Sequence, residues 1–170
     1  MKVVLGYMGC GKSSVGRYLN EHHNLSYGDL DEYIERQEKL SIKDIFKRRG
    51  EIYFRTIEHQ YLKELLQSPT YDYLALGGGT PCYANNMELI NAHHSVTSIY
   101  LKIDLQTLTQ RLFTQRAHRP LIQDIGDVGQ LNDFIRKHLF EREFYYRQAQ
   151  HMIDASEMTI DAIAEQIMSY

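Results

Sequence analysis

Eight residues near the start of the chain, Gly6-Tyr7-Met8-Gly9-Cys10-Gly11-Lys12-Ser13, match the pattern G-x-x-x-x-G-K-[ST]. That pattern suits one kind of chemistry. Glycines let successive backbone N–H groups turn inward toward an anion, and a helix opening at the lysine adds partial positive charge. Lys12 can then reach the β- and γ-phosphates of a nucleotide, and the Ser13 hydroxyl can ligate Mg²⁺. Gly9, Cys10, Gly11, Lys12, Ser13 and Ser14 form the candidate nucleotide-binding set. The bland alternative is a glycine-rich turn with a surface lysine. Context argues against it, because a β-branched run precedes the motif and a segment of helical period follows it. Cys10 stands where the loop needs a small residue; it reads either as a space filler or as a thiol whose pKa the helix start lowers.

A phosphate cradle names a nucleotide and not a reaction, so the other polar clusters must supply the acceptor. Asp29-Leu30-Asp31 follows a predicted strand, and at period two both carboxylates leave on one side, toward the crevice where α/β sheets bind ligands. One can serve a metal and the other a hydroxyl; both also suit ordinary helix N-caps. Arg55 and Glu58 lie three apart on one helical face, either as a fixed guanidinium for a carboxylate ligand or as a solvated pair. Gly77-Gly78-Gly79 ends another strand, where backbone comes close to something or simply turns. Arg116 and Arg119 fall in an aperiodic stretch, and Arg142 lies beyond it near Tyr146. Together Arg55, Arg119 and Arg142 suit a small acid bound beside a nucleotide, with arginine neighbours keeping Asp31 ionised.

Strands predicted at 2–5, 25–28, 73–76, 96–101 and 151–153 alternate with helical segments, which implies an α/β fold with a five-stranded parallel sheet flanked by helices. Ser41 predicts a helix ending at Gly50, and Asp104 one over 105–114. Over 52–66 the residues Tyr53, Ile57, Tyr61, Leu62 and Leu65 form one apolar stripe, read as core. The stretch 115–129 reads as a long mobile loop. The 170 residues suit a single domain burying roughly 70% of its unfolded surface. A net charge of -3 lacks the basic excess that sequence-independent nucleic-acid binding needs. No apolar run approaches the ~20 residues of a membrane helix. With two cysteines and no leader-like apolar stretch, the expected compartment is the cytoplasm, and the size suits a monomer.

In order and spacing these motifs, with Gly50-Glu51, Phe54-Arg55, Arg119-Pro120-Leu121 and Glu141-Arg142, resemble the shikimate kinase family over essentially the whole chain. The resemblance implies the three-layer P-loop kinase fold over 1–170, with a substrate-binding segment at about 30–62 and a lid at about 112–126. It implies transfer of the ATP γ-phosphoryl group to the 3-hydroxyl of shikimate, a step toward chorismate and aromatic amino acids. Lys12, Asp31 and Arg119 would be catalytic; Ser13 and Asp29 would hold Mg²⁺. Asp31, Arg55, Glu58, Gly77, Gly78, Gly79 and Arg142 would bind shikimate, and Lys12, Arg116 and Arg119 would join the nucleotide set. Arg116 is the nearest candidate for adenine, with Arg111 the alternative. Two residues depart from the family pattern, Cys10 in place of Ala or Ser and His118 before Arg119, and the residues from Pro81 to Asn86 take no role. The rival readings are a kinase of the same fold acting on gluconate or a nucleoside monophosphate, and a catalytically silent nucleotide sensor.

Overall fold

The computed structural model describes residues 1–119 and 121–170, and of His118 the backbone alone. β1 (Lys2–Leu5) continues from Lys2 into an apolar run, and Val3, Val4 and Leu5 are all fully buried, as a central parallel strand requires. β2 (Tyr27–Asp29), β3 (Tyr73–Ala75), β4 (Thr97–Lys102) and β5 (His151–Asp154) complete a five-stranded sheet of order β2-β3-β1-β4-β5, parallel throughout. Parallel neighbours need crossover connections, and helices supply them. These are α1 (Lys12–His23), α2 (Leu30–Glu38), α3 (Ile42–Gln67), α4 (Asn86–Asn91), α5 (Leu105–Gln115), α6 (Val128–Tyr146) and α7 (Ile160–Met168). Because β3 and β4 lie on opposite sides of β1, the chain direction across the sheet reverses there. A crevice therefore opens beyond the end of β1, where the glycine loop begins.

Local signals set several boundaries as expected. Ser41 caps α3 through the Asp44 N–H, and Asp104 caps α5 through the Thr107 N–H. Gly50, at φ 80 and ψ 174, breaks α3 where the sequence ends one helix and starts the next. Ile57, Leu62 and Leu65 are core, whereas Tyr53 and Tyr61 sit at its edge and donate to the two Glu38 carboxylate oxygens at 2.9 and 2.7 Å.

Beyond shifts of one residue at other strand ends, two boundaries differ. β2 begins at Tyr27 and not at Leu25. Asn24, at φ 54, closes α1 by donating its N–H to the Leu19 carbonyl, and Ser26 is held by Asp72 Oδ2, which accepts from its N–H and hydroxyl at 2.8 and 2.7 Å. Pairing starts only beyond those two attachments. The stretch 115–129 is not one structureless loop either: α5 runs to Gln115, a 3₁₀ turn covers Arg116–His118, and α6 begins at Val128 under an Asp127 cap. Ile122 is fully buried and anchors the stretch. Pro120 and the His118 side chain, both named in the sequence reading, lie outside the described residues. Among the described residues no helix is long and apolar enough to cross a membrane.

Gly16 lets α1 lie against the sheet edge, since a Cβ there would strike the Tyr27 ring and crowd Tyr73. The Gly16→Ala variant is expected to lose about 1–3 kcal/mol of unfolding free energy through overpacking, read as a lower urea midpoint with an unchanged denaturant slope.

Candidate active site

The loop after β1 turns on glycines that no other residue replaces without strain. Gly9 and Gly11 sit at φ 80 and 106, and a Cβ on Gly6 would lie 2.6 Å from the Leu101 carbonyl oxygen. Gly11 caps α1 without any side-chain hydrogen bond, and no acidic residue occupies the first turn, so the positive end of the helix faces the crevice. Lys12 is buried, with its ammonium donating to the Gly6 and Tyr7 carbonyls at 2.8 and 3.1 Å and to Cys10 Sγ at 3.5 Å. Tyr73, fully buried below, donates to the Lys12 carbonyl at 2.8 Å. Cys10 is 1% exposed, a space filler under the loop.

Around this loop lies a cavity of about 360 Å³, lined by Gly9, Gly11, Lys12, Ser13, Ser14, Asp29, Asp31, Gly77, Gly78 and Arg119 among others. Asp29 caps α2 and also faces Ser13. Its Oδ1 accepts from the Asp31 N–H at 3.0 Å as the cap of α2, and its Oδ2 accepts from the Ser13 hydroxyl at 3.2 Å. A hydroxyl beside two carboxylates is an all-oxygen donor set, which suits a hard cation that keeps waters and phosphate oxygens as its other ligands. Asp31 leans over the glycine turn, where a Cβ on Gly77 would lie 3.1 Å from its Oδ1. Its carboxyl is pushed up to about 7, first by burial and then by the charges of Asp29 and Glu58; Lys12 and Arg55 only partly offset this. The sequence expectation that arginine neighbours hold Asp31 ionised is thereby corrected, because desolvation and two like charges outweigh the two cations.

The arginine side is built on a buried carboxylate. Glu58 is 1% exposed and accepts from Arg55 Nη1 at 2.7 Å and from the Thr80 hydroxyl at 2.6 Å. Asn86, also fully buried, donates to the Thr80 carbonyl at 2.8 Å and meets His59 Nδ1 at 2.6 Å. Thr80 and Asn86 were not found from the sequence, and no local signal marks them. Gly79 makes room for the arginine, since a Cβ there would lie 2.5 Å from Arg55 Nη2. Arg142 comes from α6, and its charge joins that of Arg55 in opposing the upward push that burial gives the Cys82 thiol. Arg55 lies against Gly79 at the start of the 3₁₀ turn Thr80–Cys82 and Arg142 over the Tyr7 ring, both outside the cavity lining.

Arg119 does line the cavity, with Nη2 donating to Gln115 Oε1 at 3.0 Å. Arg116 does not: it lies 4.0 Å over the Phe113 ring and donates to the Phe113 carbonyl at 2.6 Å. Arg17 and Gln115 line the cavity although the sequence reading passed over them. Arg17 was available in principle, one turn after Ser13 on the same helix.

The raised Asp31 carboxyl has a thermodynamic consequence. Between its ordinary value of 3.8 and about 7 the folded chain binds more protons than the unfolded one, so this group's contribution to stability falls as pH rises through that window. The Asp31→Asn variant should therefore melt little differently from the unsubstituted chain near pH 4, progressively higher as pH rises toward 7, and at a constant advantage above about 8. Thermal melts across pH read this directly, and a pH-independent difference would contradict it.

The chain is similar to proteins of one family. A shikimate kinase family model matches residues 8–170. A shikimate kinase from Flavobacterium johnsoniae is 46% identical, covering 98% of this chain and 95% of the relative. Among solved structures, shikimate kinase from Acinetobacter baumannii in complex with shikimate superposes with a TM-score of 0.84 at 31% identity, over 99% of this chain and 90% of that one. Shikimate kinase from Bacteroides thetaiotaomicron gives a TM-score of 0.83 at 28% identity, over 99% and 95%. Matched over nearly its whole length by the family model and by these relatives, the chain belongs to the shikimate kinase family.

Proposed function

We propose that this ATP-dependent kinase carries out its reaction with the residues gathered at the end of β1, transferring the ATP γ-phosphoryl group to the 3-hydroxyl of shikimate. The observation that carries the reading is that Lys12 and Asp31 line one cavity while the Arg55–Glu58 pair stands close enough beside it for both charges to act on Asp31. Gly9 to Ser14 cradle the phosphates with backbone N–H groups, and Lys12 releases the Gly6 carbonyl for a phosphate oxygen while keeping the Tyr7 carbonyl. Arg55 and Arg142 grip the shikimate carboxylate, Glu58 fixes Arg55, and the backbone of Gly77 to Gly79 meets the ring. Asp31 accepts the proton of the attacking hydroxyl as its oxygen bonds to the γ-phosphorus, and the bond to the ADP oxygen breaks. Arg119, carried on a lid at about 112–126, balances charge on the transferred group, and Arg116 serves adenine by leaving Phe113. Ser13 and Asp29 would hold Mg²⁺, which when bound neutralises phosphate charge. The same reading takes 30–62 as the substrate segment of a single domain, and a cytoplasmic monomer without a nucleic-acid partner.

Phosphoryl transfer is mostly positioning and charge compensation, so this set of groups is sufficient. In a coupled ADP-release assay, shikimate-dependent turnover is expected, with shikimate 3-phosphate identified by mass, and Asp31→Asn should lose it by about 10²-fold or more. Gluconate and nucleoside monophosphates should not replace shikimate; ATP binding without shikimate turnover would overturn the acceptor assignment. Arg119→Ala should cost kcat about 10²-fold with little change in ATP affinity, whereas Arg55→Ala should chiefly raise the shikimate KM.

A further inference from the structure

α6 carries His138, Arg142 and Tyr146 at successive intervals of four, which stacks them along one face. The outer two are attached to different parts of the site. His138 Nδ1 lies 3.2 Å from the hydroxyl of Tyr7, the second residue of the phosphate loop, and the Tyr146 hydroxyl donates to the Gly78 carbonyl at 2.6 Å. Arg142, between them, lies 5.9 Å over the Tyr7 ring.

The direction of the first bond follows from the two groups. Burial pushes Tyr7 up to about 12, so its phenol keeps its proton. Burial and the nearby cations of Arg142 and Lys137 hold His138 below its usual value, against the opposing charge of Glu141, so the imidazole is neutral. Tyr7 therefore donates and Nδ1 accepts, which places the ring proton on Nε2. Phe134 packs on the imidazole with ring centroids 4.2 Å apart and fixes its plane. Tyr7 is only 1% exposed, so its hydroxyl needs this partner.

What the bond fixes matters more than its own strength. The Tyr7 carbonyl accepts from the Lys12 ammonium at 3.1 Å and from the Cys10 N–H at 3.3 Å. Holding the Tyr7 side chain thus holds the peptide on which Lys12 and the loop turn are seated. We propose that His138 is a positioning residue of the phosphoryl transfer: through Tyr7 it keeps Lys12 in register with Arg142 one turn along the same helix. The inference rests on the function proposed above for Lys12 and Arg142, and it adds a rigid link between the nucleotide and acid sides of the site.

The test is a double-mutant cycle of Tyr7→Phe and His138→Leu, with His138→Gln as a rescue because its amide oxygen can accept. Each single variant should lose about 3- to 10-fold in kcat, the double variant should lose no more than His138→Leu alone, and His138→Gln should recover part of the loss. Tyr7→Phe keeps the packing shape, so it remains informative if His138→Leu folds poorly; circular dichroism at the assay temperature establishes folding. Wild-type kcat in Tyr7→Phe, additive losses in the cycle, or losses that follow melting temperature alone would overturn the proposal. Calorimetric affinity for ATP without shikimate gives a readout of the loop that is independent of turnover. Weakened, non-additive ATP binding supports the link even if the wild-type chain fails to phosphorylate shikimate, a failure that would count against the acceptor assignment.

Discussion

An α-helix whose first turn is left without a cap must be held open at the end of the central strand. Any side chain that capped α1 would occupy the N–H groups and the positive end that a phosphate needs, and Gly11 supplies none. The cost of that opening is met by everything packed beneath it. β1 is buried on both faces, Tyr73 reaches up to the Lys12 carbonyl, and Leu101 sits so close to Gly6 that the loop has one course to follow.

Charge is the second constraint, and it works in two layers. The cavity holds Asp29 and Asp31 near Lys12, and beneath its edge lies Glu58, a buried carboxylate that is costly without hydrogen-bond partners. Arg55 and the Thr80 hydroxyl provide them, and Asn86 fixes Thr80 in turn. The result is a guanidinium with one orientation, suited to a carboxylate ligand. Among the described residues Asp31 has no such set of donors, and burial with two like charges raises the pKa of its carboxyl. A proton acceptor with that property suits the proposed chemistry, while its ionised form costs the empty fold stability.

Much of the site was legible because phosphate binding is local. The loop from Gly6 to Ser13 needs glycine freedom, a lysine and a helix start within eight residues, and all of them are contiguous. Helix caps at Ser41 and Asp104 are local in the same sense, and so is the break at Gly50. Asp29 was legible as a helix cap or as a site carboxylate; in the fold one of its oxygens accepts from the Asp31 N–H of α2 and the other from the Ser13 hydroxyl. The start of β2 was misplaced because Ser26 is held by Asp72, which is distant in sequence.

The sequence by itself determined the phosphate-binding loop, the alternation of strands and helices, and the carboxylates and arginines available for an acceptor. Each of these depends on backbone preference or on neighbours within a turn or two. Tertiary structure alone decided the strand order that opens the crevice at β1, the pKa of Asp31, the Glu58–Thr80–Asn86 network and the contact of His138 with Tyr7. Those depend on burial and on partners brought together from distant parts of the chain, and desolvation and hydrogen bonding act on distance in space, which sequence spacing does not encode.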